Sequence, residues 1–323
     1  MPLLLADRAH LVSPLRLYSF DELRALGAKP SEPRWKRLRK GVYVARERFE
    51  GSAPWLRYAV RVHAFLRTNP DAVLCLESAA VVHGTPLFGE TEDVHVYDPE
   101  ANRSWRHGDV SIHASATARE IVSVGDIRVT SMVDTVVDLI RVVPPAQGLA
   151  MADAALSPAQ GGMLSIPELR ERSSARASRR GIARLSWVCD SADGRAESPG
   201  ESVSRAVVMW SGFEPPELQR SFSYEGHVDR TDFYFTSCRA VGESDGWGKY
   251  DLDDHAKAAK HLREEKRRED RLRRNGHPFA RWDWRDAQRV EPLERALTGA
   301  GVPRVSSPDR AFLATLRRHP RAR

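Results

Sequence analysis

The last third of the chain has the clearest pattern of hydrophobic and polar positions. A helix is predicted from Ser198 onward, with Val203, Val207 and Met209 on one side. Three strands, a long charged helix, a strand and a last helix are predicted to follow it. Their predicted bounds are 217–225, 228–236 and 239–244 for the three strands, then 253–275, 278–282 and 285–297. The predicted order over 197–298 is therefore αβββαβα.

The middle of the chain alternates between helix and strand patterns, which predicts an α/β domain over 51–160. Helices are predicted at 55–66, 78–84 and 133–142, and strands at 72–76, 94–97 and 110–113. The next segment, 161–196, contains many Ala, Gly, Ser and Arg residues and is predicted to be a helical linker. The charged segment 299–323 is predicted to be a disordered tail. Together these patterns predict a mixed α/β (α+β) protein.

The first 50 residues predict a winged-helix module. Ser19 has capping-box spacing before a short helix that ends at Gly27, and Pro33 is predicted to begin a second helix. A strand is predicted at 41–44. The second helix would direct five basic side chains outward, as a recognition helix does when it contacts DNA phosphates. These side chains are Arg34, Lys36, Arg37, Arg39 and Lys40. A basic helix exposed to solvent is the alternative.

Composition adds a preference for an acidic partner. The chain has 323 residues, 41% of them hydrophobic, with a net charge of +6 and a pI of about 9.4. Its three widely spaced cysteines imply neither a zinc site nor a disulfide framework, which is typical of the reducing cytosol. No apolar run approaches the roughly 18 residues that span a bilayer. We therefore expect a cytoplasmic protein that does not enter a membrane.

Three carboxylates at predicted strand ends are the main candidate site. Asp232 interrupts a β-like run, while Glu243 and Asp245 are two residues apart and would point to the same face of a strand. Hard oxygen ligands of this kind suit Mg²⁺ or Mn²⁺. The alternative is an ordinary strand-edge acid at Asp232, paired with Arg230 or Arg239, beside two turn residues.

The C-terminal region resembles the restriction-endonuclease-like superfamily, the PD-(D/E)XK nucleases, and within it the very-short-patch-repair (Vsr-like) branch. The two strand motifs are Val-Asp-Arg-Thr-Asp-Phe-Tyr-Phe at 228–235 and Val-Gly-Glu-Ser-Asp-Gly at 241–246. The resemblance also includes 197–205, 216–219, 249–250, 265–269 and 272–281. It implies that Asp232, Glu243 and Asp245 bind the metal. In one departure from the superfamily, Asp245 stands where a catalytic lysine is usual, which leaves the general base open.

The same resemblance assigns further roles around the metal ligands. It implies that Glu201 completes the site from a helix, that Gln219 faces the site from a strand, and that Lys249 approaches the water or the phosphate. Arg230, Lys266 and Arg281 are the basic residues expected to contact DNA from this region.

The N-terminal half resembles the AbiEi-type antitoxin architecture, a winged helix followed by an α/β domain. The similar residues are Leu-Arg-Lys-Gly-Val-Tyr at 38–43, Ser-Ala-Ala at 78–80, His-Gly at 83–84, Val-Thr-Ser at 129–131, Asp-Thr-Val-Val-Asp-Leu at 134–139 and Ala-Asp-Ala-Ala-Leu at 152–156. The resemblance covers about 1–160 and implies that the first module binds DNA.

These features favour a metal-dependent DNA endonuclease that is targeted to duplex DNA by the winged helix. DNA repair and defence against foreign DNA are both open as its pathway. The alternative is a DNA-binding regulator of the antitoxin type in which the nuclease-like region does not cut. A third hypothesis is an interaction module for a repair or defence partner protein. A homodimer is also considered.

Overall fold

A computed structural model describes residues 2–89, 91–245 and 255–317, with the backbone alone for residues 255–262. The protein is mixed α/β, and its described strands form three separate sheets. This confirms the predicted α/β (α+β) class. None of the helices in the described part of the chain is long and apolar enough to cross a bilayer.

The N-terminal module is built around a small antiparallel sheet. Its elements are α1 (Leu5–Arg8), β1 (Tyr18–Ser19), α2 (Phe20–Ala25), β2 (Trp35–Arg39), β3 (Val42–Ala45) and α3 (Arg46–Glu50), with strand order β1-β3-β2. Ser19 caps α2 with the predicted capping box. The predicted helix from Pro33 is wrong, because the basic segment forms strand β2.

The formation of a hairpin explains this difference. Gly41 adopts a left-handed conformation with φ +74°, which reverses the chain between β2 and β3. Val42 and Val44 alternate into the core, so β3 offers a paired edge to β2. The ring of Trp35 packs on Tyr18 with 5.0 Å between the centroids. These contacts outweigh the helical spacing of the basic segment, so the predicted recognition helix at this segment is wrong.

The middle region contains a mixed six-stranded sheet in the order β6-β7-β5-β4-β9-β8. In chain order its elements are α4 (Pro54–Leu66), β4 (Val73–Leu74), α5 (Leu76–His83), β5 (Val94–Tyr97), β6 (Trp105–His107), β7 (Val110–His113), β8 (Ile121–Val124), β9 (Ile127–Thr130), α6 (Met132–Ile140) and α7 (Pro145–Leu156). A 3-10 turn at Pro158–Gln160 leads to α8 (Ile166–Ser174) and α9 (Ile182–Ser191).

Residues 161–196, which were expected to link two domains, instead complete a shared core. Leu169 and Leu185 are buried in one cluster with Leu149 of α7 and Trp210 of the next helix. The apolar faces of α8 and α9 therefore have a packing role that a flexible linker does not have. The middle and C-terminal regions are joined by this core.

The C-terminal region has a four-stranded sheet in the order β10-β11-β12-β13, with β13 parallel to β12. Its elements are α10 (Pro199–Trp210), β10 (Glu217–Tyr224), β11 (His227–Phe235), β12 (Ala240–Asp245), α11 (His255–Arg274), β13 (Phe279–Asp283), α12 (Trp284–Arg289) and α13 (Glu291–Gly299). The order helix, three strands, helix, strand is as predicted. The last predicted helix is divided in two at Val290.

Residues 300–317 pack against the rest of the protein, contrary to the disordered tail that was expected, while residues 318–323 of that tail lie outside the described residues. The described part of this segment contains α14 (Arg310–Leu313) and a 3-10 turn at Ala314–Arg317. The ring of Phe312 lies 5.2 Å from those of Trp187 and Trp210, measured between centroids. The charge-rich sequence thus includes aromatic and aliphatic residues that close the shared core.

Candidate functional site

The site begins at an irregularity in the pairing of β10 with β11. Leu218 pairs with Phe233, so the next position along the two strands places Gln219 opposite Asp232. The paired ladder skips this position and resumes at Arg220. Gln219 has φ +57°, a left-handed conformation that costs a non-glycine residue on the order of 1–3 kcal/mol. Strain of this kind in the middle of a strand is typical of functional sites.

The residues that lie opposite one another on adjacent strands form a row, and this row continues across the sheet. Phe233 pairs with Gly242, so the next position places Asp232 opposite Glu243. Glu243 in turn pairs with Arg281 on the parallel strand β13. The row from Gln219 through Asp232 and Glu243 to Arg281 therefore crosses all four strands and brings together four residues that the sequence analysis singled out.

Glu201 is tied to this row by its carboxylate. It lies in the first turn of α10, whose N-cap is Ser198, and it is buried. Its carboxylate accepts hydrogen bonds from Gln219 Nε2 at 2.9 Å, from Ser198 Oγ at 2.8 Å and from the Glu197 backbone at 2.9 Å. Burial raises the pKa of Glu201, although these bonds favour its charged form. Glu201 is thus connected to the row through its hydrogen bond with Gln219.

Asp232 and Glu243 form the chemical centre of the row. The backbone N–H of Ser244 donates to Asp232 Oδ2 at 3.0 Å, which fixes one carboxylate oxygen. Glu243 is only 5% exposed. Burial and the charge of Asp232 raise the pKa of Glu243 to about 7, although Arg268 acts in the opposite direction. Because these two carboxylates lie close together, a nearby positive charge stabilises their charged forms.

Arg268 of α11 supplies a positive charge to this pair. Its Nη1 donates to Glu243 Oε1 at 3.0 Å and to the carbonyl of Arg230 at 2.8 Å, while its Nη2 lies 2.9 Å from Glu243 Oε2. Both oxygens of Glu243 are thus contacted by one guanidinium. The sequence analysis did not select Arg268, because nothing in the charged helix distinguishes it from the neighbouring arginines.

A cleft of about 750 Å³ opens beside these residues. It is lined by Gln219, Asp232 and Glu243, by four arginines, and by further acids and a histidine. The arginines are Arg230, Arg267, Arg268 and Arg271, and the other residues are Glu197, His227, Asp229, Glu264 and Glu265. The cleft is lined by both carboxylates and guanidinium groups, a mixture that suits a metal ion on the carboxylates and a phosphate group on the arginines.

Two further ion pairs hold the walls of the cleft. Arg271 donates two hydrogen bonds of 2.6 Å to Asp229, and Arg230 reaches Glu197 at 2.7 Å. The predicted DNA contact Arg230 therefore has an acidic partner within the protein. Lys266, another predicted contact, is exposed on α11.

Asp245 lies on the same side of β12 as Glu243 but contacts a different cation. Arg281 Nε is 3.4 Å from Asp245 Oδ2, and the same guanidinium lies 3.7 Å from Glu269 and 4.0 Å from Glu265. The predicted contact Arg281 is thus surrounded by acids. Lys249 lies outside the described residues.

The residues present provide part of a hard-metal site. Within the described ranges, no group of three or more His, Cys, Asp or Glu side chains is arranged to hold a metal ion. Asp232 and Glu243 supply two adjacent carboxylates, and Gln219 lies beside Asp232 on the neighbouring strand. Carboxylate oxygens are the donors that Mg²⁺ and Mn²⁺ prefer, and Mg²⁺ is usually bound by one or two carboxylates plus water and substrate oxygens. The donor chemistry of this pair therefore fits such an ion.

Most of the basic residues of the N-terminal hairpin form ion pairs within the protein. Arg34 contacts Glu32 at 2.7 Å and Lys36 contacts Glu50 at 3.3 Å. Arg39 forms an ion pair with Asp109 and packs over the ring of Phe65. Arg39 therefore ties the hairpin to the middle region. Arg37 and Lys40 remain exposed on the hairpin.

A largely buried polar chain in the middle region is not among the sites predicted from the sequence. Glu77 lies 3.5 Å from His95 Nε2, and His95 Nδ1 is 2.9 Å from His113 Nε2. Glu77 is on α5 and the histidines are on β5 and β7. Because three separate elements bring them together, spacing along the chain gives no sign of the contact.

Two proteins of Mycobacterium tuberculosis are similar to this chain. Both are described as uncharacterized, one from strain CDC 1551 / Oshkosh and one from strain ATCC 25618 / H37Rv. Each is 30% identical over 197 residues, which make up 61% of this chain and 69% of the relative. The chain belongs to the family of these mycobacterial proteins. No protein-family model matches the chain. The function is therefore inferred from the site.

Proposed function

We propose that the protein is a metal-dependent DNA endonuclease whose reaction centre is Asp232 and Glu243. The observation that supports this most strongly is the row of Gln219, Asp232 and Glu243 across three strands, at a break in strand pairing and beside a cleft lined by arginines and carboxylates. The element order αβββαβ and the resemblance to the restriction-endonuclease-like superfamily give the same interpretation for 197–298. The fold alone does not imply the activity.

Each residue of the row has a role in this proposal. Asp232 and Glu243 hold a Mg²⁺ or Mn²⁺ ion, which when bound would lower the pKa of a water and offset charge on the phosphate. Gln219 and Glu201 fix each other's side chains beside the break in strand pairing. Arg267 and Arg268 bind phosphate oxygens in the cleft. Asp245, paired with Arg281, is assigned to the positioning of β13 rather than to the metal.

The test is DNA cleavage with Mg²⁺ or Mn²⁺ across duplex, nicked, mismatched and single-stranded substrates. We expect Asp232→Asn to lower the rate by about 100-fold or more, because loss of a metal ligand removes several kcal/mol of transition-state stabilisation. The matched control is Asp245→Asn, the same chemical change on the next strand, which should retain most of the activity. Equal activity of wild type and Asp232→Asn would remove the basis of the proposal.

A second candidate function is a DNA-binding regulator of the antitoxin type. Two ion pairs favour this function: Arg268 pairs with Glu243, and Arg281 pairs with Asp245. In these pairs the protein's own cations neutralise the acids without a metal. This function predicts sequence-specific binding to the protein's own promoter that is indifferent to Asp232→Asn. A shift assay with wild type and this variant, with and without Mn²⁺, separates the two functions.

A further inference from the structure

The contact between Arg268 and Glu243 has a consequence for any cation that binds at this site. The guanidinium contacts both oxygens of Glu243 at 2.9–3.0 Å. An ion coordinated by Glu243 would lie within a few ångströms of that guanidinium, and two positive charges at this distance repel strongly in a partly buried site. Arg268 and a divalent cation therefore compete for the same carboxylate.

The helix that carries Arg268 is held independently of this contact. Arg271, one turn further along α11, is fixed by its two hydrogen bonds to Asp229. Leu272 is fully buried in a cluster with Phe222, Tyr234 and Val241. These contacts keep this part of α11 in place when the Arg268 side chain leaves Glu243, so the exchange needs a rotation of one side chain.

The cleft offers the released guanidinium a new position. Arg268 and Arg267 both line it, next to Asp232 and Glu243. A DNA phosphate beside a metal on the two acids would lie close to both arginines, and a guanidinium binds phosphate oxygens as well as it binds a carboxylate.

We infer that Arg268 is an exchangeable counter-ion, which neutralises Glu243 in the empty site and transfers to a DNA phosphate when a divalent cation takes its place. The inference rests on the proposed metal site at Asp232 and Glu243. It predicts that binding of the cation and binding of DNA assist each other, because the cation frees the arginine that DNA needs.

The first experiment measures Mn²⁺ binding to the full chain without DNA, from the free Mn²⁺ signal in electron paramagnetic resonance. Arg268→Met should tighten Mn²⁺ binding by about tenfold, since it removes a close competing charge. Arg268→Lys keeps the positive charge but cannot contact both oxygens of Glu243 as the guanidinium does, so it should raise the Mn²⁺ affinity by a smaller factor. This variant replaces the methionine variant if the latter does not fold. Lys36→Met, which removes a positive charge from the hairpin and leaves the cleft intact, should leave the Mn²⁺ affinity unchanged. Glu243→Gln should abolish tight binding.

The second experiment measures the affinity for a phosphorothioate duplex by fluorescence anisotropy, with and without Mn²⁺. In wild type, Mn²⁺ should increase the DNA affinity by more than it does in Arg268→Met. Unchanged or weaker Mn²⁺ binding in both Arg268 variants would overturn the inference, as would an equal effect of Mn²⁺ on DNA binding in wild type and variant. If the predicted shifts occur without any DNA cleavage, the counter-ion exchange stands and the nuclease proposal fails.

Discussion

The N-terminal hairpin and the C-terminal cleft both carry several basic side chains, but the acidic partners of these side chains differ between the two regions. On the hairpin, Lys36 pairs with Glu50 of the adjacent helix, and Arg39 joins the hairpin to Asp109 of the middle region. In the cleft, Arg268 pairs with an acid that is itself next to Asp232. Positive charge alone thus says little about ligand binding. A concave surface and an acidic centre beside the charge distinguish the cleft.

The largest stability difference between the two regions should come from Arg268. Arg268→Met leaves Glu243 buried without its partner, and removal of one member of a buried ion pair costs about 3–5 kcal/mol. The more exposed pair of Lys36 with Glu50 is screened by solvent, so Lys36→Met should have only a small effect. Urea unfolding at pH 8, where Glu243 is charged, measures both. Equal losses would mean that the cleft pair is no more than a surface contact.

Glu243 should also make the stability depend on pH. Its pKa rises from 4.5 to about 7 on folding, so between these values the native state binds more protons than the unfolded state. The free energy of unfolding therefore falls as the pH rises through this window, by at most about 3 kcal/mol from this group. Urea unfolding of wild type and Glu243→Gln at pH 5 and pH 8 isolates the contribution. The glutamine variant should lack this part of the decline, and an identical decline in both proteins would assign it to other groups.

A smaller effect is expected where the hairpin meets the middle region. Arg39→Met removes an ion pair and a contact with the ring of Phe65, which together should cost about 1–2 kcal/mol. The exposed Arg37 provides the control, because Arg37→Met should change the free energy of unfolding by less than about 0.5 kcal/mol. A larger loss at Arg37 would show that the hairpin has contacts beyond those described for Arg39.

The smallest expected effect concerns DNA binding and compares the regions directly. Arg267→Ser in the cleft should lower the slope of the logarithm of DNA affinity against the logarithm of salt concentration by about 1, as expected for one lost phosphate contact. Arg37→Ser on the hairpin should leave that slope unchanged. Anisotropy titrations at several salt concentrations give the slopes. The reverse result would move the DNA contact to the hairpin.

The two regions also differ in how far the sequence predicts them. In the C-terminal region, the alternation around Asp232 and Glu243 and the capping residue Ser198 are local signals, and the structure follows them closely. At Trp35–Arg39, helical spacing competed with the turn at Gly41 and with pairing to β3, and the pairing prevailed. Local patterns do not include such tertiary contacts.

Contacts between distant segments were the least predictable part of the site. Arg268 is one of many charged residues on α11, and its contact with Glu243 depends on how the helix lies against the sheet. The chain of Glu77, His95 and His113 and the packing of Phe312 into the shared core depend in the same way on distant elements. The acids themselves could be found from the sequence, because they interrupt apolar strands.

The account depends most on whether Asp232 and Glu243 hold a metal ion. Anomalous diffraction from a crystal soaked in Mn²⁺ tests this directly. We expect a peak within coordination distance of both carboxylates, with the Arg268 guanidinium displaced from Glu243. A crystal soaked at saturating Mn²⁺ that shows no peak there, with Arg268 still on Glu243, would contradict the proposed metal site and the counter-ion exchange together.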